Sequence, residues 1–161
     1  MNRKARVLIP AASLMLAVAL QAQTRPKTAS NTTGDPDARP PVTKADVRIV
    51  QRAREILNSP AKWNRADNRV CPANAKTFSL YCALEKATDE VSGHFEHRGA
   101  AMQEARFVIE DVAPNWKEYA HRLMDYNNDR RTTFADIQRV FQLLEDRIAK
   151  RLMEESRPDK N

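Results

Sequence analysis

The chain has 161 residues, with 27 Lys+Arg against 21 Asp+Glu, three glycines, two cysteines and only 6% aromatic residues. Three of the positives, Arg3, Lys4 and Arg6, lie in an N-terminal leader; subtracting them leaves 24 against 21, a net of +3. That is an ordinary solvated surface, not the clustered basic face with interleaved aromatics that nucleic-acid binding needs, and the length suits one domain around a single core.

Arg3, Lys4 and Arg6 form a positive n-region, Val7 to Leu20 form an apolar run, and Ala22 is a natural last residue before a cut. Residues 1–22 therefore read as a secretory signal peptide. An uncleaved anchor is the alternative, but a span needs roughly 20 apolar residues, and Pro10 interrupts this run. The expectation is an exported product, periplasmic or secreted, with no stable membrane anchor after cleavage. Residues 23–42 are rich in Thr, Pro and Asp and offer too little apolar surface to offset the entropy of ordering them, so they read as a flexible linker.

From there the pattern is helical, without long period-2 alternation. A capping box at Thr43 and Asp46, with Val42 and Val47 placed as a hydrophobic staple, opens the first helix. Ile49, Val50, Ala53, Ile56 and Leu57 make its apolar face, and Asn58-Ser59-Pro60 stops it. A second helix is expected over about 75–92, with Gly93 after its end, and a third over about 100–112, before Pro114. Asn115 is read as the cap of a short fourth helix carrying Trp116, Tyr119, Ala120 and Leu123 on one side. Thr133 and Asp136 form a second capping box that opens the fifth helix, buried through Ile137, Val140, Phe141, Leu144 and Ile148. The expectation is an all-α compact bundle of about five amphipathic helices, a single domain over 43–153 with a polar tail at 154–161.

Two cysteines in an exported domain are expected to pair. Helical phase puts Cys82 off the Leu80–Leu84–Val91 stripe, facing the loop that carries Cys71. The spacing fits neither a redox C-x-x-C motif nor a zinc cluster, so the bridge reads as structural.

Two places carry metal-ligand chemistry. Residues 125–136 set oxygen-bearing side chains at the spacing of an EF-hand loop, which names Asp125, Asn127, Asp129 and Asp136 as Ca2+ ligands. Against this, the loop has Arg130 where the sharp turn wants Gly and Asp136 where a bidentate Glu is usual; a turn followed by a helix cap explains the same residues. His94 and His97, three apart, with His121 as a third nitrogen, are the candidate for zinc or copper, although Gly93 and Gly99 bracket the pair as a loop. No nucleophile elbow, H-E-x-x-H or phosphate-cradling glycine loop occurs.

Ile56-Leu57 with Trp63, then Tyr81-Cys82-Ala83-Leu84, then Asn128-Asp129 with Thr132-Thr133 leading into Ile137 and Val140, form a pattern over about 46–150. In these pieces the chain resembles an uncharacterised family of bacterial helical domains of unknown function. The resemblance implies an all-α fold and no known activity. Functionally the chain reads as a non-catalytic interaction or structural module without a resident cofactor, its partner another protein or an envelope component. Trp116, Tyr119 and Phe107 are its contact candidates. A calcium-binding module is the alternative, and a periplasmic hydrolase with a site assembled from distant residues is the third reading.

Overall fold

The computed structural model describes residue 35 and residues 37–157; the leader, its expected cut after Ala22, most of the linker and the last four residues lie outside that range. The described residues form five α-helices, without a strand among them: α1 (Lys44–Ile56), α2 (Leu80–Ser92), α3 (Ala100–Val112), α4 (Arg122–Asn128) and α5 (Phe134–Glu155). Short 3₁₀ turns at Pro60–Lys62 and Trp116–Glu118 lie between them.

The first helix starts where its capping box places it. Asp46 accepts the Thr43 backbone N–H at 2.8 Å, and its other oxygen accepts the N–H of Ala101 at 3.1 Å. Ala101 sits in the first turn of α3, whose own cap residue, Gly99, has no side chain to offer. One carboxylate therefore satisfies the exposed donors of two helix starts and ties α1 to α3.

The second helix begins at Leu80, five residues later than expected. The preceding residues are spent on a single parallel bridge between Trp63 and Phe78: Phe78 N–H donates to the Lys62 carbonyl at 2.7 Å, and Asn64 N–H to the Phe78 carbonyl at 2.9 Å. Ser79 then caps the helix by accepting from Cys82 N–H at 3.1 Å. Its end is as expected, with Gly93 in the left-handed region at φ 76°, where a Cβ would be strained.

The fourth helix also differs. The Asn115 side chain caps nothing, and Trp116–Glu118 form only a 3₁₀ turn. The helix starts at Arg122 because Asp125 reaches back to accept the His121 N–H at 2.7 Å. The fifth helix opens at its capping box, with Asp136 accepting Thr133 N–H at 2.8 Å, and continues through Glu155, past the expected tail boundary.

Helix α1 packs on α2 and α5, α3 packs on α5, and α4 lies against α3 and α2. Val50, Ala53 and Leu57, then Leu80 and Leu84, Met102 and Ile109, and Ile137, Phe141, Leu144 and Ile148 meet in one fully buried core. None of the described helices is long and apolar enough to cross a membrane.

The described end of the expected linker, residues 37–42, packs on the bundle. The Ala38 carbonyl accepts from Gln103 at 2.8 Å, the Pro40 carbonyl from Arg151 at 3.1 Å, and Val42 N–H donates to Glu155 at 3.0 Å. Composition missed this because backbone carbonyls, not apolar side chains, make most of the contact. The Arg39 guanidinium lies 3.9 Å from the centre of the Phe107 ring, and Phe107 is only 8% exposed. Phe107, one of the contact candidates, is thus a covered residue.

Candidate anion-binding site

Between the start of α3, the 116–118 turn and the start of α4 lies a cavity of about 390 Å³. Its walls carry five permanent cations, Arg69, Arg98, Arg106, Lys117 and Arg122, and two histidines, His97 and His121. Tyr81, Trp116, Tyr119 and Gln103 complete the polar and aromatic lining. Among the described residues no Asp or Glu lines it.

Each cation arrives from a different local structure. Arg69 lies in the long loop between α1 and α2, and is the only described non-glycine residue in the left-handed region, at φ 61°. That loop is fixed at three points. Its backbone N–H donates to Asp67 at 2.7 Å; Asp67 N–H and carbonyl both bond the Asn128 amide at 2.8 Å; and Cys71 is bridged to Cys82, with Cα atoms 5.3 Å apart. A conformation that costs about 1–3 kcal/mol survives only where its surroundings over-determine it. Here those surroundings aim the Arg69 guanidinium at His121, whose ring nitrogens lie 3.0 and 3.2 Å away.

Arg106 comes from α3 and bonds both the His97 carbonyl, at 2.9 Å, and the Gln103 side chain. Burial pushes its pKa down to about 10, with the neighbouring Arg122, Arg98 and Arg69 adding to the effect, so it remains charged at neutral pH. The same surroundings act on His97. Burial first, then the charges of Arg106, Arg69, Arg98 and His121, hold the imidazole below its ordinary value. Its Nδ1 lies 3.4 Å from the Tyr81 hydroxyl, which burial and then Glu85 hold above the ordinary phenol value.

Arg122 is neutralised, by Asp37 at 3.0 Å and Glu110 at 2.9 Å. The other four have no carboxylate within ion-pair distance among the described residues. This is a choice of partners and not a shortage of acid: Arg52 pairs with Glu55 and Glu90, Arg131 with Asp129, Arg147 with Asp111, and Arg151 with Glu104 and Glu155. Cations that face one another across a partly desolvated cleft repel, and an anion placed among them removes that repulsion.

The residues expected to bind Ca2+ do not converge. Asp125, Asn127 and Asn128 lie within α4, so residues 125–136 do not fold as an EF-hand loop. Asp125 caps α4, Asp129 accepts from the backbone and side chain of Arg131, and Asp136 caps α5. Asn127 is fully buried and accepts from Trp63 Nε1 at 2.8 Å and Leu80 N–H at 3.0 Å while donating to the Asn64 carbonyl at 2.9 Å. The helix cap that explained these residues from sequence accounts for Asp136, and the interior wiring accounts for Asn127. Among the described residues no group of three His, Cys, Asp or Glu side chains is placed to hold a metal. Of the histidine trio, His94 bonds Glu96 at the surface, while His97 and His121 face the cavity among guanidinium groups that repel a metal cation.

Sequence reasoning missed the five cations. Local pairing rules match Arg106 with Glu110 four residues on, yet the fold gives Glu110 to Arg122. The net of +3 averaged a local concentration away. The usable signal was Arg98 and Arg106 near the start of one helix and Arg122 shortly after its end.

These observations define a small all-α domain with a cationic, partly aromatic cleft at one end of its bundle. The chain belongs to a family of unknown function, DUF6197, which matches residues 41–147 and so spans all five cations. Neither the curated proteins nor the solved structures yield a match.

Proposed function

We propose that the protein is an exported recognition module that captures an anionic group of its ligand in this cleft. The observation that carries the reading is the lining itself: among the described residues it has five permanent cations, four of them without a carboxylate partner, and no acidic side chain. The signal-like residues 1–22 support export, and the Cys71–Cys82 bridge and the described helices, none long enough for a span, are compatible with it. The lining offers hydrogen-bond donors and aromatic surface, which suit capture of an anionic group. The anion-bearing partner is then an envelope component or another exported molecule.

The test is thermal unfolding of the purified protein with phosphate, sulfate, citrate and acetate at constant ionic strength. A ligand at a hundred times its dissociation constant stabilises by about 2.7 kcal/mol. At least one anion should raise the melting temperature, and the effect should shrink with added sodium chloride and with Arg106→Gln. No rise with any of the four over sodium chloride at the same ionic strength rules the reading out.

A further inference from the structure

The cleft is larger than a simple anion needs. At about 390 Å³ it falls in the lower range of small-molecule sites, which run from roughly 300 to 1,000 Å³. Its unmatched guanidinium groups come from three separate places: Arg69 from the α1–α2 loop, Arg98 from the turn before α3, and Arg106 from α3 itself. A planar carboxylate is satisfied by one guanidinium fork lying in its plane. Donors approaching from three directions suit a tetrahedral group with three equivalent oxygens. Three arginines facing one another, with Lys117 beyond, also leave more than one positive charge to answer, and a phosphate monoester brings about −1.5 to −2 at neutral pH.

The remaining wall has a different character. Trp116, Tyr119 and Tyr81 line the same cavity, with Ala120 and Leu123 beside them. Trp116 is partly buried; the Arg122 guanidinium, itself held by Asp37 and Glu110, lies over its ring at 5.3 Å from the centre, and the Lys117 ammonium at 5.9 Å. An indole restrained in this way is a rigid platform. A platform of this kind binds flat rings by stacking.

Building on the anion-site reading, we infer that the ligand is a phosphate monoester carried on a flat ring, with the phosphate among Arg69, Arg98 and Arg106 and the ring on Trp116. Isothermal titration with the full chain tests it, using inorganic phosphate, phenyl phosphate, benzenesulfonate and benzoate at one low ionic strength. Phenyl phosphate should bind about tenfold or more tighter than each of the other three. Trp116→Ala should bring phenyl phosphate down to the affinity of inorganic phosphate while leaving inorganic phosphate within about threefold. Arg69→Asn, which suits the left-handed backbone and so keeps the fold, should weaken both phosphates together.

Phenyl phosphate binding no tighter than inorganic phosphate overturns the ring; benzoate or benzenesulfonate matching it overturns the phosphate. In either case the anion site itself survives. Absence of binding by all four compounds removes both. If Trp116→Ala fails to fold, the ranking of the four compounds on the unaltered chain decides alone.

Discussion

Asn127 offers the sharpest test of how this fold is wired. Its side chain is fully buried and serves three groups from the α1–α2 connection: the Trp63 indole N–H, the Leu80 N–H that starts α2, and the Asn64 carbonyl. Asn127→Leu keeps the volume and removes all three bonds. Each orphaned buried polar group costs about 1–3 kcal/mol. Trp63 is only partly buried and recovers some hydration, so the sum comes to about 3–5 kcal/mol. Against a usual domain stability of about 5–15 kcal/mol, that is a large fraction. Urea unfolding followed by circular dichroism and indole fluorescence measures it, and the variant's midpoint should fall without a change in slope. Asn127→Asp keeps both acceptor bonds but loses the donations to the Asn64 carbonyl and Asn128 Oδ1, turns a carboxylate oxygen toward both, and buries a charge, so it should be no milder than the leucine variant at neutral pH. A loss below about 1 kcal/mol for the leucine variant would refute the wiring.

Replacing Cys71 and Cys82 by alanine should cost about 3 kcal/mol, from the 11-residue separation of the pair, read as a shift in urea midpoint. Glu104→Leu should cost about 3 kcal/mol, at the low end for a buried ion cluster because Arg151 keeps Glu155 and Arg147 keeps Asp111. Arg69→Asn should leave stability unchanged or raise it by up to about 1 kcal/mol, since it relieves a left-handed arginine; a marked loss would mean the guanidinium is structural. The pH dependence follows from His97, whose folded pKa is depressed. Below about 6.5, the ordinary histidine value, the unfolded chain takes up a proton that the native chain refuses. Stability should therefore fall as pH drops through the window between that value and the lower folded one. A bound anion should restore His97 protonation, so phosphate should bind more tightly at pH 6 than at pH 8 once its own ionisation is allowed for, and His97→Gln should flatten that difference.

Helix content, the two capping boxes and the buried stripes were legible because they follow local rules: Thr43 with Asp46 and Thr133 with Asp136 act within one turn. The late start of α2 was not, because Phe78 pairs with Trp63 fifteen residues away, a contact periodicity does not encode. The family resemblance placed weight on Trp63 and the Asn128-Asp129 turn, and the structure joins these regions through Asn127 and Asn128. The cleft was invisible for a related reason. Its charge depends on which arginine claims Glu110, and that choice is tertiary.

The docked segment ahead of α1 has a consequence for how the cleft is held to the rest of the chain. The Asp35 carbonyl accepts from Arg98 at 2.8 Å and Asp37 pairs with Arg122, so two residues of this strap hold two arginines of the rim. Peeling the strap away would free Arg98 from the Asp35 carbonyl and leave Arg122 to Glu110 alone, which changes the electrostatic balance of the cleft. If an anion binds as proposed, its occupancy and attachment of the strap are coupled, and by reciprocity whatever tightens one by a given factor shifts the other by the same factor.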